Sequence, residues 1–169
     1  MLHKASIAGM TIDPASNTPI IILKIPGNEQ TIPIWIGLFE ATAIASALQN
    51  IQFERPMTHD LVKNLFLKLN ITVSSIEISD ILDNTFYAKI NFSSIERNFF
   101  MDARPSDAIA IALRFNAPIF VNDKVLEKSK KSDLPINESA EILDKSKEGK
   151  KWADYLNTLS PKDFGKYKI

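Results

Sequence analysis

The stretch Asp102-Ala103-Arg104-Pro105-Ser106-Asp107-Ala108-Ile109-Ala110-Ile111-Ala112-Leu113-Arg114 constrains the fold more than any other. Every residue from Ala108 to Leu113 is apolar, so the helix predicted over 106–115 is greasy nearly all round and has to be covered on most sides. A tight polar corner precedes it. Pro105 restricts Arg104 to extended geometry, Ser106 is a natural N-cap, and Asp107 in the first turn suits the positive end of the helix dipole. A second corner follows the same plan: Arg55-Pro56-Met57-Thr58-His59-Asp60-Leu61, again Arg-Pro, a hydroxyl residue, an acid and an apolar helix. Any function the sequence shows should lie where these two corners meet.

The rest of the chain supplies what can cover the helix. Strands are predicted over 4–11, 20–25 and 31–36, with Pro33 marking an edge or a bulge because it has no N–H to donate. Residues 37–49 predict a helix rich in alanine, with Glu40 in its first turn. Residues 58–69 predict another, capped by Thr58, with Leu61, Leu65 and Leu69 at a spacing of four beside Val62 and Phe66 as its apolar face. Residues 71–79 and 85–92 predict a hairpin turning at Asp83-Asn84, and 97–103 a third strand of that sheet. Residues 118–121 predict a short strand, and 123–131 a short helix or turn.

These elements predict an α+β fold with mostly antiparallel sheet and packed helices. Glu40-Ala41-Thr42-Ala43-Ile44-Ala45 echoes Asp107-Ala108-Ile109-Ala110-Ile111-Ala112, a faint sign of internal duplication. The boundary falls near residue 130. Residues 131–169 predict a lysine-rich linker and a C-terminal helical extension, with Trp152, Tyr155, Leu156 and Leu159 on one helix face.

Charge and composition narrow the function classes. Twenty basic and twenty acidic residues cancel, so the chain either concentrates positive charge locally to hold a nucleic-acid partner, binds one weakly, or binds none. The chain has no cysteine, which excludes disulfides and thiolate metal sites. No apolar run reaches the roughly 18–20 residues that span a bilayer, so no membrane partner is expected. No charged segment followed by a long apolar run opens the chain, so the default location is the cytoplasm. Edge strands and an aromatic-rich tail suit a homo-oligomer.

Several polar residues could carry chemistry. Arg55 and Arg104 present planar donor forks suited to a phosphate, and the helix N–H groups after each are a second anion site. Each is also explained by an ion pair with a neighbouring acid. His59 is the sole histidine outside the N-terminal tail and the one ready general acid or base near neutral pH. Glu40, Asp60, Asp102 and Asp107 lie at helix starts or a strand end. Such carboxylates hold Mg²⁺ or Mn²⁺ beside phosphates, although dipole complementation accounts for each singly and no spacing marks a metal site. No P-loop, dinucleotide fingerprint or Gly-x-Ser-x-Gly motif is present.

Three motifs in order complete the reading: Pro33-Ile34-Trp35-Ile36-Gly37 with Glu40-Ala41, then Arg55-Pro56-x-Thr58-His59-Asp60-Leu61, then Asp102-Ala103-Arg104-Pro105-Ser106-Asp107-Ala108-Ile109-Ala110. Together they resemble the bifunctional nuclease domain family over about residues 1–130, and Asp163-Phe164-Gly165-Lys166-Tyr167 looks like the tail extension of bacterial members. The resemblance implies an α+β domain and nuclease activity on RNA and DNA. It makes the polar residues of the matching motifs the candidate site: Glu40, His59, Asp60, Asp102 and Asp107 as catalytic groups, Arg55 and Arg104 as phosphate contacts. Three readings stay open: a phosphodiester hydrolase, assisted or not by a divalent ion; a regulatory module that binds nucleic acid or protein without turnover; and a purely structural oligomer in which the Arg-Pro corners are ion pairs.

Overall fold

The computed structural model describes residues 1–28 and 30–131; the linker and helical extension expected over 131–169 lie outside the described residues, apart from the backbone of Lys131. Seven strands and four helices run in the order β1 (Leu2–Ile12), β2 (Pro19–Lys24), β3 (Thr31–Trp35), α1 (Leu38–Leu48), α2 (Thr58–Lys68), β4 (Thr72–Leu82), β5 (Thr85–Ser93), β6 (Asn98–Ala103), α3 (Pro105–Phe115), β7 (Ile119–Asn122) and α4 (Asp123–Lys131). The strands form one sheet in the order β3-β2-β1-β7-β4-β5-β6. Every pairing is antiparallel except β4 with β7. The expected α+β class and mostly antiparallel sheet are what forms.

The topology also carries the sequence echo. β1-β2-β3 is a meander followed by α1, and β4-β5-β6 is a meander followed by α3. The short β7 zips the two meanders together at the centre of the sheet. α3 carries the chain from the β6 edge back across to β7, which is why a helix apolar nearly all round was needed. It lies between α1 and α2 and over β4 and β5, and Ala108 to Ala112 are all buried.

Alternation decides which face of the sheet is covered. On β5, Ala88, Ile90 and Phe92 are buried while Tyr87, Lys89 and Asn91 point the other way. Phe66 of α2 packs edge-on against Phe92 at 5.0 Å, and Phe92 stacks on Phe99 of β6 at 5.0 Å. α2 therefore lies over the β5–β6 side of the sheet. Pro33 sits in β3, an edge strand, as its missing N–H requires.

Turns are set by asparagine, because the chain holds only five glycines. Asn50, Asn70 and Asn116 take positive φ just past α1, α2 and α3, and Asp83 and Asn84 both do so in the β4–β5 turn. Asn and Asp tolerate this left-handed region better than other side-chain-bearing residues.

Three local expectations are corrected. The N-cap positions of α2 and α3 are Met57 and Arg104, not Thr58 and Ser106. Proline prefers the first helical position, so Pro105 starts α3 and Ser106 moves inside it, buried. The Leu61, Leu65 and Leu69 row of α2 does not face the core. These leucines are exposed, and Val62 and Phe66 pack inward instead. The rotation of α2 is set by two polar contacts at its start, His59 to Asp107 and Asp60 to Arg114.

Candidate active site

Three helices begin near one another, and their first turns carry the polar residues of the sequence motifs. Glu40 is the third residue of α1, His59 the second of α2, and Asp107 the third of α3. Arg104 stands at the end of β6, in the extended conformation that Pro105 requires (φ −67°, ψ 146°). Its Nη1 donates to Glu40 Oε1 at 2.8 Å and its Nε donates to Asp107 Oδ2 at 2.7 Å. The other oxygen of Asp107 faces His59 Nε2 at 3.1 Å. The four side chains make a linear chain: Glu40, Arg104, Asp107, His59.

Exposure peaks at Arg104 and falls toward both ends. Arg104 is 66% exposed, while Glu40 and His59 are 17% and 15% exposed. Burial pushes the Asp107 carboxyl up, but the hydrogen bonds from Arg104 and His59 outweigh it and leave Asp107 below the ordinary carboxylate range. An ionised Asp107 can only accept. His59 Nε2 therefore carries the proton in this contact, and Nδ1 is left with its lone pair when the ring is neutral. Arg104 in turn has donors beyond the two its acids occupy, on its solvent side.

Gly37 explains how Glu40 reaches Arg104. Its φ of −72° is ordinary, so glycine is not needed for the backbone. It is needed for space: a Cβ there would overlap Glu40 Oε2 and lie 3.1 Å from Glu40 Cδ. The carboxylate lies folded over the bare Cα of Gly37.

The remaining candidates fall elsewhere. Asp60 has both oxygens committed. Oδ1 accepts from Arg114 Nε at 2.6 Å, and Oδ2 accepts from the Met57 N–H at 3.0 Å. Burial raises its pKa, but the Arg114 and Met57 hydrogen bonds win and hold it low. Asp60 positions α2 rather than lining the cluster. Asp102 is not brought to the cluster. It pairs across the ladder with Lys89, between the positions of buried Ala88 and Ile90, so alternation puts it on the uncovered face of the sheet. Arg55 is exposed in the loop before α2 and makes no ion pair among the described residues.

Arg114 is the polar residue that sequence reasoning missed. It is 7% exposed, and besides Asp60 its Nη1 donates to the carbonyls of Ala43 in α1 (3.0 Å) and Ala110 in α3 (2.9 Å). It joins the three helices that present the cluster. The available signal was a lone cation closing an apolar helix, but its partners lie 54 and 71 residues away in sequence.

Among the described residues no group of three or more His, Asp or Glu side chains is placed to hold a metal ion. Glu40 and Asp107, the two nearest candidates, are held by Arg104. No helix among the described residues is long and apolar enough to cross a membrane.

The fold and site define a class: a one-sheet α+β domain that gathers three helix N-termini and a His-Asp-Arg-Glu chain on its covered face. A family model described as the bifunctional nuclease domain matches residues 21–134, and the chain belongs to that family. An uncharacterized protein of Mycobacterium tuberculosis is 36% identical over 168 residues, covering 96% of this chain and 98% of that protein. Bifunctional nuclease 1 of Oryza sativa subsp. japonica is 28% identical over 116 residues, which is 67% of this chain and 35% of the rice protein. Bifunctional nuclease 1 of Arabidopsis thaliana is 30% identical over 108 residues, 62% of this chain and 33% of the plant protein. The chain thus spans about a third of the plant proteins and nearly all of the mycobacterial one.

Proposed function

We propose that this protein hydrolyses phosphodiester bonds in nucleic acid, with His59 as the general base. The observation that carries the proposal is the chain His59–Asp107–Arg104 at the joint N-terminal ends of three helices. Asp107 holds the imidazole with Nε2 protonated, so the lone pair on Nδ1 can take a proton from water. The uncommitted donors of Arg104 suit a non-bridging phosphate oxygen, and the helix N-termini add positive potential where charge develops. Glu40 keeps Arg104 in place. The names of the plant relatives agree with this chemistry. Among the described residues no carboxylate group is placed to hold Mg²⁺ or Mn²⁺, so no step here is routed through a metal.

A specific observation also favours a binding module without turnover: Arg104 is already neutralised by two carboxylates, and the chain has no net charge. The two readings separate in one experiment. Full-length protein is incubated with single- and double-stranded RNA and DNA, in EDTA, Mg²⁺ or Mn²⁺, beside His59→Ala and Arg104→Ala. Cleavage that falls about 10²-fold or more in His59→Ala supports the hydrolase. Saturable binding with no cleavage in any condition supports the module. Cleavage unchanged in both variants rejects this site.

A further inference from the structure

Among the described residues the sheet ends at β3 on one side and β6 on the other, and the two edges differ. β3 carries Pro33, which offers no N–H to a further strand. β6 has no proline, no lysine and no bulge in its pairing with β5. Proteins usually blunt an open edge by one of these devices, because unpaired N–H and C=O groups are a template for another strand. The β6 edge exposes a large apolar side chain on each face: Phe100, with the Lys89 ammonium 5.1 Å from its ring, is 62% exposed on one, and Met101 is 51% exposed on the other, with Asp102 the one charged side chain of the strand. The helix lying over this side of the sheet, α2, leaves Leu61 and Leu65 61% and 52% exposed.

We propose that β6 pairs antiparallel with β6 of a second copy of this chain, about a two-fold axis at Phe100, so that the two sheets become one. The backbone selects the residues. The Ser94 N–H donates to the Arg97 carbonyl at 3.2 Å, so alternation along the ladder turns the N–H and C=O groups of Asn98, Phe100 and Asp102 away from β5. These three then pair with the same three of the partner. Charge selects the axis. Centred on Phe100, the pairing sets ring against ring and each Asn98 amide against the partner's Asp102. Centred on Asp102, it would oppose two carboxylates; centred on Phe99, it would oppose Asp102 and the partner's Glu96; centred on Asn98 or Met101, it would set Phe100 against the partner's Glu96 or Asp102. The strand is its own complement in one register, which is why the occupant is a second copy rather than an unrelated strand.

This register has a consequence for the site, and that part rests on the nuclease reading. The partner's Arg97 falls opposite Ala103, the residue before Arg104, on the helix-bearing face. It brings a further guanidinium beside one that two acids already neutralise. A complete phosphate site then needs both subunits.

The chain has no cysteine, so a single substitution reports alone. A hydrogen-bonded antiparallel pair sets its Cα atoms about 5.5 Å apart, within the span of a disulfide. Full-length Phe100→Cys is therefore expected to form a disulfide-linked dimer under mild oxidation, and Ile95→Cys, fully exposed outside the strand, is not. Sedimentation velocity is expected to show a wild-type dimer and a folded Phe100→Asp monomer. A wild-type monomer at every concentration overturns the proposal. So does a dimer that persists in Phe100→Asp, or one in which Ile95→Cys cross-links as fast as Phe100→Cys. If Phe100→Asp does not fold, the cysteine pair decides. None of these readouts needs nucleic acid, so they stand or fall apart from the nuclease reading. For the shared site, Arg97→Ala is expected to weaken nucleic-acid binding about tenfold in the dimer, the worth of one charge-assisted contact, and not in the Phe100→Asp background. Equal loss in both overturns the sharing.

Discussion

At the scale of single residues, the site depends on an empty space as much as on charges. Gly37 lets the Glu40 carboxylate fold back to Arg104. Gly37→Ala is expected to push that flexible side chain aside at little cost in stability while releasing Arg104. Thermal melting should change little, and nuclease turnover should fall with it if Arg104 contacts the phosphate. His59 and Asp107 make a sharper prediction. Asp107→Asn keeps the shape but can present an N–H where His59 needs an acceptor, so turnover should fall about 10²-fold or more, as in His59→Ala. Substrate affinity measured by binding should change far less in both. Asn116 tests the turn chemistry: Asn116→Ala places an ordinary side chain at φ 53° and should cost about 1 kcal/mol in urea denaturation, whereas Asn116→Gly should be tolerated.

At the scale of elements, Arg114 sets the mutual placement of α1, α2 and α3. Arg114→Met leaves the Asp60 carboxylate and two helix carbonyls without their donor, and should cost about 2–3 kcal/mol, less than a fully buried pair because Asp60 is a third exposed. Part of that loss should return in Arg114→Met with Asp60→Asn, which a double-mutant cycle measures. Such contacts also explain why element existence was legible and orientation was not. Hydrophobic period and turn residues located the seven strands and four helices of the described residues, including the Asp83-Asn84 turn, and Pro33, read as an edge or a bulge, falls on an edge. The same period misplaced the face of α2. Leu61, Leu65 and Leu69 repeat as regularly as a buried row, but the rotation of the helix is chosen by His59 and Asp60 finding Asp107 and Arg114. Nothing local in the sequence encodes that choice.

At the scale of the whole molecule, two conditions should move stability. The carboxyls of Asp60 and Asp107 titrate lower in the folded protein than their ordinary value of 3.8. Their contribution is therefore complete above that value and is lost as the pH falls below it, through their folded pKa values. Urea denaturation should show this acid limb, and a variant with Asp60→Asn and Asp107→Asn should lack that portion of it. If the sheet continues into a second copy, the melting temperature should also rise with protein concentration, and in Phe100→Asp it should not.

The order of residues alone determined the α+β class, the strand and helix inventory, and which polar residues border helix starts, because period, proline and turn chemistry act over a few neighbours. It also placed the family resemblance on three motifs, all of which lie within the family match over residues 21–134. Only the tertiary structure decided which of those residues meet. Glu40, His59, Arg104 and Asp107 converge because three helices start on the same side of one sheet. Asp102, two residues from Arg104, is turned to the opposite face by strand alternation, and Asp60 is claimed by an arginine 54 residues away. Contacts of that span depend on how the sheet is ordered, and sheet order is a property of the whole chain.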